Sequence, residues 1–145
     1  EALRRTDEKG NPDEDLARIG LSMAETSWAL GWDEKNGGVV YFVSADDKPI
    51  QEYWQNQKFW WPQCEAILAA LYAWRLSKDS KWMDRAQMAW DWFEGQHRDS
   101  VHGECWGWLS QSGTVIQTLK GSPWKGPFHY PRMLLKASEI LDDLT

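Results

Sequence analysis

From Ala66 to Trp74 the chain reads Ala66-Ile67-Leu68-Ala69-Ala70-Leu71-Tyr72-Ala73-Trp74, with no charge and no polar stripe. A helix built from this run, starting near Pro62, is apolar all the way round and is stable only with other elements packed on its sides. The run is far short of the ~20 residues that span a bilayer. It predicts an inner helix within a layer of helices, and the rest of the chain has to supply those neighbours.

The neighbours are legible. Asn11-Pro12-Asp13-Glu14 reads as a helix start, with Asn11 as cap and Pro12 in the first turn, after a polar and loose stretch over residues 1–10. Leu16, Ile19, Met23 and Leu30 then recur at roughly helical spacing, and Gly31 suits a stop. Gly37-Gly38 breaks the chain before Val39–Val43, whose β-branched and aromatic residues read as a short strand. Ser44 to Pro49 reads as a turn and residues 50–59 as irregular. After the inner helix, Ser77–Ser80 is a short connection with Asp79 or Ser80 as cap. From Lys81 to about Gln96, Trp82, Ala86, Ala89 and Phe93 repeat at four, three and four, which predicts an outer helix with one wet face. Cys105–Leu109 and Thr114–Leu119 pair as a hairpin around Gln111-Ser112-Gly113. A last, inner helix starts near Pro131 and carries Met133, Leu134, Leu135, Ala137, Ile140, Leu141 and Leu144. The order is outer helix, long loop, inner helix, short link, outer helix, long loop, inner helix. That is an all-α toroid of helical hairpins, with its long loops gathered at one mouth.

Charge and cysteine usage narrow the function. The net charge of -6 comes with scattered Lys and Arg, which argues against nucleic acid and against an anionic membrane surface. Cys64 and Cys105 lack CxxC spacing and are expected to stay reduced, in the cytoplasm. The start, Glu1-Ala2-Leu3-Arg4-Arg5-Thr6, does not resemble a signal peptide. It also lacks an initiating Met, as expected of a processed chain or a fragment.

Twelve tryptophans in 145 residues point to a ligand. They cluster beside polar groups, in Trp60-Trp61-Pro62-Gln63-Cys64-Glu65, Gly103-Glu104-Cys105-Trp106-Gly107-Trp108 and Trp124-Lys125-Gly126-Pro127-Phe128-His129. A sugar stacks its C–H faces on such rings and gives its hydroxyls to the polar groups at their edges. A carbohydrate-binding or carbohydrate-converting protein follows. Trp74, Trp82, Trp90 and Trp92 lie at helical packing positions and read as core or inter-helix contacts.

Four segments carry a resemblance. Lys58-Phe59-Trp60-Trp61-Pro62-Gln63-Cys64-Glu65-Ala66 resembles the KxWWPxxEA segment of the N-acylglucosamine 2-epimerase family, which includes the cellobiose 2-epimerases. Gly31-Trp32-Asp33 with Gly37–Phe42 resembles the stretch before the family's long loop, and Gly103–Trp108 its GEWFGY stretch. Lys120 to Arg132 is similar to its KGxPxKGxFHxPR signature. The resemblance implies an (α/α)6 barrel, of which residues 1–145 are the C-terminal portion of a single domain. It also implies epimerisation at C2 of a reducing mono- or disaccharide or N-acyl sugar by proton transfer through an enediolate, with no metal or cofactor.

Residue roles follow from it. His129 is implied as one of two proton-transferring bases; its residues alone leave open a structural histidine between Pro127 and Pro131. Glu65, in the first turn of the inner helix, is a simple dipole-favoured carboxylate or, by resemblance, faces the sugar or orients a histidine. Trp61 and Trp124 are expected as stacking platforms, and Glu104 and Trp106 as substrate contacts. Arg132 holds a ring oxygen or a carboxylate such as Glu65. His97 and His102 read as structural or solvated, His97 as a cation suited to a helix C-terminus. The family's first catalytic histidine lies on a helix upstream of Pro12, and this chain has no counterpart. The isolated chain is therefore expected to be inactive, to expose apolar surface and to self-associate or pair with the missing portion. Two other functions compete: a glycoside hydrolase using Glu65 and Glu104 at ~5–9.5 Å, and a non-catalytic sugar-binding module.

Overall fold

A computed structural model describes residues 5–6, 10–46 and 48–142. The expected looseness of residues 1–10 falls largely outside the described residues, as do Asp47 of the expected turn and Leu144 of the last helix. Four helices carry the fold: α1 (Glu14–Gly31), α2 (Trp60–Ser77), α3 (Ser80–Gln96) and α4 (His129–Asp142). A small antiparallel sheet joins the loops, from β1 (Lys58–Phe59), β2 (Trp108–Leu109) and β3 (Val115–Gln117), with β2 in the middle.

The apolar run predicted as an inner helix is α2, which packs against α1, α3 and α4. Cys64, Ile67, Leu68, Ala70, Leu71 and Ala73 are buried along it. Its C-terminus turns at Lys78, a non-glycine residue at φ 58, whose amide caps the Trp74 carbonyl. The four-three-four set of α3, Trp82, Ala86, Ala89 and Phe93, is buried as its period predicts, and Asp79 caps it through the Lys81 amide. The hairpin forms around Gly113, with Leu109 opposite Val115 and a bulge before Trp108 meets Gln117.

Several local expectations are corrected. The cap of α1 is Asp13, which accepts from the Leu16 amide at 3.0 Å, two residues past Asn11. The α1 stripe does not face the core. Ile19, Met23 and Leu30 are exposed, while Trp28 and Gly31 are buried. Trp28 stacks on Trp32 at 4.7 Å, and the Arg85 guanidinium lies between the rings of Trp28 and Trp82 while gripping Glu25. Residues 39–43 form no strand. The Gln63 side chain binds both the Val39 amide and carbonyl at 2.7 Å, and the Tyr41 and Phe42 amides share the Gln55 carbonyl. Two donors on one acceptor leave no ladder to extend. Conversely, Lys58–Phe59, read as irregular, pairs with Trp108–Leu109. The inner helix starts at Trp60 and the last helix at His129, each two residues before the proline expected to open it. Within α4, Met133 and Ile140 are buried but Leu134, Leu135 and Leu141 are exposed, so one of its faces has no partner among the described residues.

Candidate active site

Two short segments build the site: the β1–α2 junction, and the loop that ends at α4. Pairing of β1 with β2 and the bond from the Trp60 amide to the Gly107 carbonyl fix where α2 begins. Beneath this junction Lys58, wholly buried, donates to Asp33 at 3.1 Å and to the Gly38 carbonyl at 3.0 Å. Burial raises the Asp33 carboxyl, but bonds from Asn36, Lys58 and Gln111 outweigh it and hold the group well below the usual carboxylate range. Burial pulls the Lys58 ammonium down, against the pull of Asp33.

The aromatic residues above this pair form a continuous wall. Trp108 stacks on Phe59 at 5.0 Å, Phe59 meets Tyr41 at 4.2 Å, Tyr41 meets Trp61 edge-on at 6.0 Å, and Trp61 meets His129 at 5.7 Å. They border a cavity of about 970 Å³ that Trp60, Trp124 and Lys125 also line. A second, more apolar hollow of about 740 Å³ runs along α1 and α2. Tyr41 and Trp61 line both, Glu65 lines the α1–α2 hollow and His129 the aromatic one.

At this boundary His129 Nδ1 lies 2.7 Å from Glu65 Oε1. Arg132 donates through Nη2 to the same oxygen. Burial raises the Glu65 carboxyl, but the bonds from Arg132 and then His129 outweigh it, and the group sits below its ordinary value. An ionised carboxylate only accepts hydrogen bonds, so His129 carries a hydrogen on Nδ1, and Nε2 is the ring nitrogen not engaged by Glu65.

The structure brings His129, Glu65, Arg132 and Trp61 together and sets Trp124 on the cavity rim, 86% exposed. It does not bring Glu104 and Trp106 to the cavity lining. Both oxygens of Glu104 are bound by Lys125 at 2.6 Å. Trp106 lies under the Lys120 ammonium, 4.9 Å from its ring centre, and its carbonyl bonds His97. His97 is not a helix-end cation. It is sealed against Phe93 and Trp92, donates Nδ1–H to Trp106 at 2.7 Å, and burial pushes its pKa down to about 4. His102 is exposed beside Asp99. Tyr41, Phe59, Trp108 and Lys125, none singled out from the sequence, line the cavity. Its place in the aromatic run Phe59-Trp60-Trp61 was the available signal for Phe59. Among the described residues no group of three or more His, Cys, Asp or Glu is placed to hold a metal ion. No helix among them is long and apolar enough to cross a membrane.

A helical layer here presents an aromatic cavity with a carboxylate-bound histidine at its edge, and comparison with known proteins identifies the family. The family model described as N-acylglucosamine 2-epimerase (GlcNAc 2-epimerase) matches residues 3–129. The chain is 43% identical over 115 residues to the N-acylglucosamine 2-epimerase of Rattus norvegicus, covering 79% of this chain and 27% of the relative. Against that of Homo sapiens it is 36% identical over 143 residues, covering 98% and 33%. Its fold matches the cellobiose 2-epimerase from Bacillus thermoamylovorans with a TM-score of 0.74 at 24% identity, over 88% of this chain and 31% of that one. It matches a D-mannose isomerase with a TM-score of 0.69 at 19% identity, over 89% and 36%. The chain belongs to the N-acylglucosamine 2-epimerase family, and its helices are a portion of an (α/α)6 barrel. It spans 27–33% of the length of these curated relatives.

Proposed function

We propose that this chain serves a carbohydrate 2-epimerase acting on a reducing sugar, with an N-acylated aldose as the substrate class. The observation that carries the proposal is the bond between His129 Nδ1 and Glu65 beside the Trp61 ring, at the edge of an aromatic cavity. The relatives at 36–43% identity, named N-acylglucosamine 2-epimerases, support the substrate class.

In the open-chain aldose, the hydrogen on C2 is acidified by the neighbouring C1 carbonyl. His129 Nε2 takes that proton, the C–H electron pair forms a C1–C2 double bond, and the carbonyl electrons move to O1, giving an enolate where C2 carries an acylamino group and an enediolate where it carries a hydroxyl. Glu65 stabilises the imidazolium through Nδ1–H, and Arg132 keeps Glu65 ionised. A proton delivered to the opposite face of C2 inverts the centre. Trp61 and Trp124, which both line the cavity, offer stacking faces.

Inversion needs a second base, and neither other histidine supplies it: His97 is sealed and His102 lies outside the cavity. The polypeptide alone is therefore inactive. Incubation with N-acetylated and free aldoses in D2O, followed by NMR at C2, tests this; rapid deuterium uptake with inversion by residues 1–145 alone refutes it. In a barrel completed with the relatives' remaining length, His129→Ala lowers kcat by about 100-fold or more. Wild-type turnover in that variant removes His129 from the mechanism. The open α1–α2 hollow also supports self-association of the isolated chain. The buried free thiols of Cys64 and Cys105 suit a reducing cytoplasm.

A further inference from the structure

The segment from residue 118 to residue 128 carries Trp124 and delivers His129, yet it contains neither helix nor strand. Lys120 ties its start to the Gly103 carbonyl at 2.6 Å and to Asp99 at 2.5 Å; beyond that point the Ser122 hydroxyl accepts from the amides of Trp124 and Lys125 at 3.2 and 3.0 Å, and the Ser122 amide reaches the Lys125 carbonyl at 3.4 Å. Lys125 is the one buried residue in it, at 8% exposure, and its neighbours from Gly121 to Phe128 are exposed. A lysine is among the residues least often buried, and burial of its charge requires a partner. That partner is Glu104, with both oxygens 2.6 Å from Nζ. The lysine stem crosses Gly107, where an added Cβ would stand 2.8 Å from Lys125 Cδ. Its ammonium lies 5.9 Å from the Trp60 ring centre. Gly107 in turn holds the Trp60 amide at the start of α2.

We propose that Lys125 is a positioning residue: pinned by Glu104 against Gly107 and Trp60, it sets the loop that places Trp124 and His129 at the cavity. Glu104 then serves the loop and not the sugar. The inference rests on the epimerase reading only in taking Trp124 and His129 as the groups that meet substrate. The pair borders the core only through Trp60 and Cys105, and Glu104 is 44% exposed. Its loss loosens the loop and leaves the helices standing.

Lys125→Met keeps the stem and removes the ammonium; Glu104→Gln removes the charge from the more exposed partner. Amide hydrogen exchange and the histidine ring NMR spectrum need neither sugar nor turnover, and the chain has three histidines to resolve. The loop amides of Trp124 and Lys125, which bond the Ser122 hydroxyl, are expected to exchange about tenfold faster in either variant, with α3 amides unchanged. The His129 ring signal moves while that of His102 stays, and the double variant loosens the loop no further than Lys125→Met. Unchanged loop exchange, equal acceleration across α2 and α3, or additive effects overturn the proposal. Should Lys125→Met fail to fold, Glu104→Gln decides by the same signals. A loosened loop in a completed barrel that never isomerises sugar keeps this inference and sinks the epimerase reading.

Discussion

At the scale of single residues, the histidines divide by what their Nδ1 meets. His129 donates to the Glu65 carboxylate. His97 donates to a carbonyl in an apolar seal, and its Nε2 is buried without a partner, so a second proton has nowhere to go. Its folded pKa of about 4 lies below the ordinary 6.5, so the unfolded chain binds the proton more readily. The stability from His97 is full above pH 6.5 and is lost as pH falls from there toward 4, by about 3 kcal/mol. Urea unfolding at pH 7 and pH 5 should show the drop, and His97→Gln should flatten it; equal slopes in both proteins remove His97 as the cause. Glu65→Gln should cost some stability, because Arg132 and His129 hold the ionised carboxylate in the fold, and should lower kcat in a completed barrel by about 10- to 100-fold, through loss of imidazole orientation. Undiminished turnover would show that Nδ1 needs no anion. The sequence marked both histidines as residues to weigh, but burial, which separates them, comes from Phe93 and Trp92 on the helix that His97 caps together with the Trp106 carbonyl from the loop beyond it.

At the scale of elements, period decided what could be read. The outer helix α3 was legible because one buried stripe follows a 3.6-residue repeat. Residues 39–43 have strand composition, yet Gln63, twenty-four positions away, takes the backbone groups a ladder would use. A side chain that substitutes for a strand leaves no local signature. Gly37 and Gly38 were read only as a break. In the fold they lie at φ 72 and 73 under the Trp92 ring, and added Cβ atoms would stand 2.4 and 2.8 Å from its atoms. The Trp92 indole also donates to the Asn36 carbonyl at 2.9 Å, tying this turn to α3. Gly38→Ala should therefore cost about 2–4 kcal/mol, from left-handed backbone strain and the clash together. Chemical denaturation measures it, and a loss below about 0.5 kcal/mol would mean that Trp92 moves aside freely.

At the scale of the whole molecule, the apolar face of α1 lies open. Ile19, Met23 and Leu30 are exposed, and Met23 and Leu30 line a hollow with Val43, Ala66 and Tyr72. An unpartnered apolar surface of this extent favours association. Sedimentation velocity should show mass rising with concentration, and Met23→Lys with Leu30→Lys should suppress the rise. A concentration-independent monomer would count against it. Composition and period determined a good deal unaided: a helical layer, an inner helix at 66–74, an outer one at 81–96, and tryptophan-rich loops suited to a sugar. Those properties are written in short-range spacing and in residue type. The meeting of Glu65, His129 and Arg132 was already among the alternatives read from the sequence; tertiary structure alone decided that the α1 stripe faces a hollow and that Glu104 is held by a lysine. Each of those joins residues far apart in the chain or depends on which neighbour covers a face, and linear spacing holds no record of either.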